Sequence, residues 1–411
     1  MVALKPGAIC RSRERGELLL LLEQRGELCE ATAYPAGVPA ATLSLPASDL
    51  EPVGEDLASA RVLRMRRRSL EAAGRCGRRP ERPIRTAMVL CAGLGLRLRP
   101  LTLRFPKPAV PFFGGPLVRY GFALLKNAGI ERVVINTHHL PEVMERTARA
   151  EAERLGLGLN ISNEPEIQGT AGGLRDARRF LEGEPFVVVN GDAFMSLDLA
   201  DLVARHQAAG ALATLGVVPL PPDEKFNAVE ARPDGAVRRI RGIGEGGPDL
   251  VPWHFVGVQV IEPEVLDHIP RPGAKDTNSD VYPRLIAQGR LVQAAPINLG
   301  AWADMGTPRR YLQACEEVLS GLCDLSALGA EAPLPASEGE RLRPLPPSAR
   351  AFVHPSARVA PGAIIEGSQL GPDVVVGEEA VVRGSAVLPG TRIAPGERVE
   401  GVIACGELRL E

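Results

Sequence analysis

The stretch MVLCAGLGLRLRPLTLRFPKPAVP, residues 88–111, decides how this 411-residue chain is read. Met88-Val89-Leu90-Cys91-Ala92 is a short apolar run, the pattern of a buried strand. It breaks into Gly93-Leu94-Gly95-Leu96-Arg97 and then meets a proline-framed Lys107. A loop at the end of a parallel strand aims backbone N–H groups at a phosphate, and glycine lets that backbone come close. Arg97 and Lys107 add fixed positive charge beside it. The two glycines alone describe an ordinary strand-to-helix turn equally well. Two common motifs are excluded. A dinucleotide fingerprint needs a third glycine where Leu98 stands, and no Gly-Lys-Ser/Thr run of a Walker loop follows.

What remains is G-x-G-x-R-x-x-P-x-T followed by F-P-K-P, carried by Gly93, Gly95, Arg97, Pro100, Thr102, Pro106, Lys107 and Pro108. It resembles the signature of the sugar-1-phosphate nucleotidyltransferases, or NDP-sugar pyrophosphorylases. Asn190-Gly191-Asp192 and Trp302-Ala-Asp304-Met-Gly-Thr-Pro308 are similar to the segments this family places at its metal site. Gln168-Gly169-Thr170-Ala171-Gly172-Gly173, preceded by Glu164, is similar to the family's Gly-Thr-Ala-Gly turn near the base and sugar.

The resemblance implies Mg²⁺ on Asp192 and Asp304, Arg97 on the β- and γ-phosphates, and Lys107 as a point charge near the reacting phosphates. It implies nucleotide contacts from Ala92, Gly93, Gly95, Gln168, Gly169 and Thr170, and substrate contacts from Glu164, Gly172 and Asn190. One departure stands out. Many members carry a Glu-Lys-Pro segment whose lysine contacts the sugar phosphate. This chain has Arg241-Gly242-Ile243-Gly244-Glu245 there, leaving Arg239 or Arg241 as substitutes.

The chemistry gives these residue types a reason. Moving a nucleotidyl group onto a sugar phosphate joins two anionic partners, so the site needs cations and N–H donors around the α-phosphate more than a protein nucleophile. Mg²⁺ is typically held by one or two carboxylates plus phosphates and water. Asp192 closes the strand Phe186-Val-Val-Val-Asn-Gly-Asp, and Asp304 lies just before a helix. Taken singly, they read as a turn aspartate and a helix-entry carboxylate.

Bulk properties narrow the class. Hydrophobic residues make up 45% and charged residues 24%, an ordinary globular balance, and the net charge of −2 argues against a large nucleic-acid footprint. No apolar run approaches the roughly 18 residues of a bilayer span, and the N-terminus has no secretion-signal pattern. Seven scattered cysteines without a C-x-x-C pair read as reduced thiols, which places the protein in the cytoplasm. Only five of the 48 basic residues are lysine, so a lysine inside the proline-framed loop is conspicuous.

Along the chain, residues 1–58 form a small N-terminal extension with three candidate strands, Gly7 to Arg11, Glu17 to Glu23 and Ala40 to Leu45. The Leu18–Leu22 block fits a helical turn equally well. Residues 59–85 read as an arginine-rich, solvated linker, with a tether to an anionic polymer as the functional alternative. Residues 86–322 alternate strands with amphipathic helices, which implies an α/β domain: a mostly parallel, Rossmann-like sheet with helices on both faces. Ligands in such sheets bind at the carboxyl ends of the strands, where the loop at Gly93 and the acidic end at Asp192 both fall. A hairpin is expected over 227–243 on the Asp234-Gly235 turn. A helix opened by Thr307-Pro308 is expected over 307–320. A linker over 323–350 leads to residues 351–411, where a six-residue pulse (Ile364, Leu370, Val376, Val382, Leu388, Ala394) predicts a short left-handed parallel β-helix. Such tails more often assemble subunits than carry a site, so a homo-oligomer is expected.

By this resemblance the chain joins a nucleoside triphosphate, GTP for preference, to a sugar 1-phosphate, mannose 1-phosphate for preference, and releases pyrophosphate. Glucose 1-phosphate is the alternative sugar. A regulatory subunit of the same fold, binding nucleotide sugar without turnover, is the alternative to catalysis.

Overall fold

A computed structural model describes residues 4–15, 17–33, 42–55, 57–74, 77–220, 228–319 and 351–411. The chain divides into two compact units. The first holds Met1–Arg66, Pro111–Gly115 and Met305–Glu411; the second holds Arg67–Val110 and Pro116–Asp304. The expected linker at 323–350 lies outside the described residues, as do Asn227 and the first residues of the strand expected from Ala40.

In the first unit, β1 (Ala8–Ser12), β2 (Leu18–Arg25), β3 (Leu28–Ala33), β4 (Thr42–Pro46) and β5 (Leu50–Glu55) form an antiparallel sheet in the order β4-β3-β2-β1-β5. The leucine block is a strand, and its unbroken apolarity has a cause. Leu19 and Leu21 face a cluster with Cys10, Cys29, Ala31, Leu45 and Leu50. Leu20 and Leu22 face the other way, onto Ala60 with Leu63 and Ile9 beside it. A strand covered on both faces does not alternate. Burying each leucine is worth on the order of 1.5–3 kcal/mol.

Ala60 and Leu63 belong to α1 (Leu57–Ala73), which corrects the expectation of a loose linker from residue 59. Arginine, leucine, alanine and methionine all favour helix. The segment has no glycine or proline until Gly74, which adopts φ +62° and ends the helix by donating to the Leu70 carbonyl.

The second unit is a ten-stranded mixed sheet. Its parallel part runs β8 (Gly158–Asn163), β7 (Arg132–Thr137), β6 (Thr86–Leu90) and β9 (Phe186–Asn190). The helices α2 (Val118–Asn127), α3 (Pro141–Leu155) and α4 (Gly169–Asp176) connect these strands. Beyond β9 the direction changes, which corrects the expectation of a mostly parallel sheet. The eleven-residue β15 (Val251–Ile261) runs antiparallel to β9, to β11 (Ala213–Pro219) and to β12 (Val229–Ala231). The hairpin of β12 with β13 (Val237–Ile240), on the Asp234-Gly235 turn, adds β14 (Ile243–Gly244), while β16 (Val292–Pro296) pairs parallel with β11. Both faces of the parallel part are covered. Met88, Val134 and Val188 pack in one cluster with Leu174 of α4, and Ala87, Val89, Val133, Ile135, Val187 and Val189 are equally buried.

A ribbon of β10 (Ala193–Leu197) with β17 (Leu299–Asp304) is antiparallel, and α5 (Leu199–Ala209) follows β10. Asp276 caps a π turn over Thr277–Val281 that leads into α6 (Tyr282–Ala287), and Thr307 caps α7 (Pro308–Leu319), accepting from the Arg310 amide.

The tail forms three stacks of short parallel strands, with Phe352 opposite Gln369, Arg358 opposite Val375 and Ile364 opposite Val381. Each coil therefore advances by 17 residues, so one side in three is a five-residue step. That step corrects the strict six-residue phase. The interior positions after Val382 are Val387, Ile393 and Val399, whereas Ala394 is exposed. Gly367, Gly384 and Gly401 make the short corners at φ between +54° and +66°, a conformation that other residues seldom adopt. At the same corner the amide of Ser385 donates to Ser368 Oγ and that of Val402 to Ser385 Oγ, so buried hydroxyls satisfy amides at successive coils.

Candidate active site

The strand β6 delivers its carboxyl end into the glycine loop, and the neighbouring strands hold the loop in place. The Cys91 amide donates to Asn136 Oδ1 at 2.7 Å, and Asn136 Nδ2 donates to Glu164 Oε1 at 2.7 Å. The other oxygen of Glu164 accepts from the Gln168 amide at 2.9 Å. One buried carboxylate thus ties the loop at Cys91 to the Gly-Thr-Ala-Gly turn. Burial raises the Glu164 pKa, against hydrogen bonds from Asn136 and Gln168 that favour the charged form. Gly173 packs against this pair, and a Cβ there would sit 2.7 Å from both Asn136 Nδ2 and Glu164 Oε1.

The two loop glycines differ. Gly93 is open, with nothing within 4 Å of an added Cβ. Gly95 has φ +59°, and an added Cβ would lie 2.9 Å from Thr102 Cγ2 and 3.3 Å from Lys107 Cβ. The Thr102 hydroxyl donates to the Gly95 carbonyl at 2.9 Å, which fastens the loop to the proline-framed segment. Arg97 lies exposed on the turn Leu96–Leu98.

Lys107 is only 5% exposed, held between Pro106 and Pro108. Its Nζ donates to Asp192 Oδ2 at 2.8 Å and to Asp304 Oδ1 at 3.4 Å. The two aspartates come together because β10 and β17 pair with Ala193 opposite Asp304. Gly191 allows the approach to β6. Its amide donates to the Leu90 carbonyl, and an added Cβ would lie 2.9 Å from both that oxygen and Cys91 Sγ. Burial, reinforced by the charge of Asp192, pushes the Cys91 thiol far up, so it stays protonated. Asn190 lies over β15, where Gly257 at φ +89° leaves room for its amide, 2.8 Å from an added Cβ.

The second turn is clasped by a segment that the sequence reading did not single out. Gly169, at φ +71°, packs so closely that an added Cβ would lie 2.5 Å from the Lys275 carbonyl oxygen. The Ala171 amide donates to that oxygen, and the Lys275 amide donates to the Gln168 carbonyl. The Thr170 hydroxyl donates to Asp276 Oδ2 and accepts from the Thr277 amide. Gly172 leaves space for Gln168 Cβ, and Arg175 Nη2 holds the Gln168 side chain at 2.7 Å. The available signal was Asp276 ahead of Thr-Asn-Ser, a helix-cap pattern. Of the proposed lysine substitutes, Arg241 reaches Asp276 Oδ1 and Ser279 Oγ, while Arg239 lies 3.6 Å from Glu230.

Among the described residues, no group of three or more His, Cys, Asp or Glu side chains could hold a metal ion. Asp192 and Asp304 offer two carboxylates with side chains 43% and 25% exposed, already gathered around one cationic nitrogen. A pair of hard oxygen donors open to solvent suits a Mg²⁺ that takes its remaining ligands from phosphates and water.

The glycine turns at the carboxyl end of the mixed sheet and the Asp192–Asp304 pair beside the two-stranded ribbon are suited to phosphates and a hard cation. Comparison with known proteins gives the family. A family model described as nucleotidyl transferase matches residues 86–321, and the chain belongs to the nucleotidyl transferase family. It is 31% identical over 294 residues to the mannose-1-phosphate guanylyltransferase of Mycobacterium tuberculosis, covering 70% of this chain and 76% of that one. It is 32% identical over 262 residues to the mannose-1-phosphate guanylyltransferase catalytic subunit beta of Danio rerio, covering 62% and 68%. It is 31% identical over 247 residues to the UTP--glucose-1-phosphate uridylyltransferase of Synechocystis sp., covering 57% and 63%. These relatives are sugar-1-phosphate nucleotidyltransferases, the class that the loop at Gly93 resembles.

Proposed function

We propose that this chain catalyses GTP + mannose 1-phosphate → GDP-mannose + pyrophosphate. The observation that carries the reading is the Lys107 ammonium lodged between Asp192 and Asp304 beside the glycine loop. In the proposed reaction an oxygen of the sugar phosphate attacks the α-phosphorus in line, and the bond to the β-phosphate oxygen breaks as pyrophosphate leaves. The backbone of Ala92, Gly93 and Gly95 lies along the phosphates, with Arg97 on the β- and γ-groups and Lys107 facing the reacting ones. Asp192 and Asp304 would hold Mg²⁺, which neutralises phosphate charge when bound. Gln168, Gly169 and Thr170 line the base side, and Gly172 and Asn190 the sugar side. Glu164, with both oxygens engaged by protein donors, supports the two turns from behind.

The preference for mannose 1-phosphate and GTP rests on the two guanylyltransferase relatives; the uridylyltransferase relative keeps glucose 1-phosphate as the second reading. The intact lysine and aspartates weigh against a purely regulatory subunit. We further read the 17-residue coils as a left-handed β-helix that assembles copies of the chain, and place the enzyme in the cytoplasm. All five described cysteines are buried and none is in a disulfide.

Pyrophosphate release with Mg²⁺, across a grid of nucleoside triphosphates and sugar 1-phosphates, tests the assignment. Turnover of GTP with mannose 1-phosphate is expected, reduced at least about 100-fold in Asp192→Asn and in Asp304→Asn. Turnover of another pair would reassign the substrates. Silence across the grid with nucleotide still bound would move the protein to the regulatory reading.

A further inference from the structure

Away from the glycine loop, a cavity of about 580 Å³ opens where the end of α1 meets the edge of the sheet. That volume falls within the range of small-molecule sites. Ala72 and Arg78 come from the segment ahead of the family-matched residues; the other walls are the end of α5, the 232–236 turn, Trp253 and β16. Strands β9, β15 and β11 separate β16 from β6, a lateral distance of roughly 19 Å at about 4.8 Å per strand. The catalytic candidates do not reach it.

Its charge is lopsided. Arg205 is occupied by Asp201 at 2.7 Å and by the Ala73 carbonyl. Arg78 and Arg232 line the same cavity, and no carboxylate among the described residues pairs with either guanidinium. The one carboxylate in the lining, Asp234, uses Oδ1 to accept from the Ala236 amide within its own turn. The turn is rigid. Gln293 Nε2 donates to the Asp234 carbonyl, and the Ala294 amide donates to the Gly235 carbonyl. Gly235 at φ +89° sits so close that an added Cβ would lie 2.1 Å from Gln293 Nε2. The half-buried Trp253, packed against the core of the sheet, lines the same cavity.

Two forked cations suit a dianionic phosphate, and an indole suits a ring. We propose that this cavity binds a small phosphate monoester with a ring-bearing body, held by Arg78 and Arg232 at the phosphate and by Trp253 at the ring. The ligand bridges the upstream segment and the enzyme domain, so its site exists only where both are present.

The chain has two tryptophans, Trp253 and Trp302, so a Trp302→Phe background reports on the cavity alone. Ribose 5-phosphate, AMP and inorganic phosphate are titrated against its fluorescence. Ribose 5-phosphate separates a sugar-phosphate ligand from a nucleotide one, because it lacks the base. The expected result is saturable quenching by ribose 5-phosphate, AMP or both, with inorganic phosphate at least about tenfold weaker. Arg78→Gln and Arg232→Gln should each weaken binding about tenfold or more. In the chain with both tryptophans they should leave pyrophosphate release unchanged. No saturable response to either ester at millimolar concentration, an undiminished response in the double arginine variant, or equal binding of inorganic phosphate would overturn the proposal.

Discussion

Lys107 fixes how its two neighbouring carboxylates sit. A buried ammonium 2.8 Å from one aspartate and 3.4 Å from another holds both carboxylates at a fixed spacing before any ligand arrives. Lys107→Met removes that charge with little change in volume. We expect kcat for pyrophosphate release to fall about 10²–10³-fold, the usual scale for losing one preorganised electrostatic contact. Circular dichroism should show the fold retained. A variant that keeps kcat within a factor of two would remove Lys107 from the mechanism. The neighbouring glycines give a second residue-scale test. Gly95→Ala and Gly169→Ala place a side chain at positive φ against Thr102 and the Lys275 carbonyl, while Gly93→Ala meets nothing. Urea unfolding should register about 1–3 kcal/mol lost in the first two and under about 0.5 kcal/mol in Gly93→Ala. Equal costs at all three positions would contradict the geometry. In the sequence Gly93 and Gly95 look alike. What separates them is contact with residues seven and twelve positions further on, which spacing does not encode.

At the scale of elements, what was legible depended on how local the cause was. The strands β6, β7 and β9 announced themselves because each is an apolar run buried on both faces. The antiparallel turn of the sheet around β15 was hidden, because pairing direction follows from which distant strands meet, and periodicity is silent on that. α1 was hidden for another reason: its arginines read as solvated charge, although the same side chains favour helix. The tail shows a middle case. Its repeat was visible, but the five-residue corner was not, since Gly384-Ser385 resembles any other Gly-Ser turn. There Ser385 Oγ accepts from the Val402 amide, and the Ser385 amide donates to Ser368. Ser385→Ala would strand a buried N–H between coils. We expect about 1–3 kcal/mol of destabilisation in urea unfolding followed by far-UV circular dichroism. A neutral result would mean the hydroxyl ladder does not hold the coils.

For the whole molecule, the boundary given by family similarity differs from the boundary given by contacts. Similarity begins at residue 86, yet the second compact unit begins at Arg67. The reason lies in backbone groups, which no motif records. The Arg78 amide donates to Asp201 Oδ1, the Glu81 and Arg82 amides donate to Gln207 Oε1, and Gln207 Nε2 donates back to the Arg82 carbonyl. Two side chains of α5 therefore anchor the stretch that its arginines mark as linker. Three of those arginines are also paired within the fold, Arg67 with Glu71, Arg79 with Asp198 and Arg85 with Glu131, which weakens the polymer-tether alternative. Gln207→Ala tests the anchoring without touching the glycine loop. Hydrogen exchange at the Glu81 and Arg82 amides should accelerate about tenfold, the consequence of losing roughly 1.4 kcal/mol of local protection. The Arg78 amide, held independently by Asp201, should change less. Pyrophosphate release should stay at the level of the unsubstituted chain, because Gln207 lies on α5, away from the loop and the aspartates. If all three amides already exchange at the rate of an unstructured peptide before substitution, the segment is a linker after all. If instead Glu81 and Arg82 alone accelerate, the upstream residues are part of the enzyme's own fold.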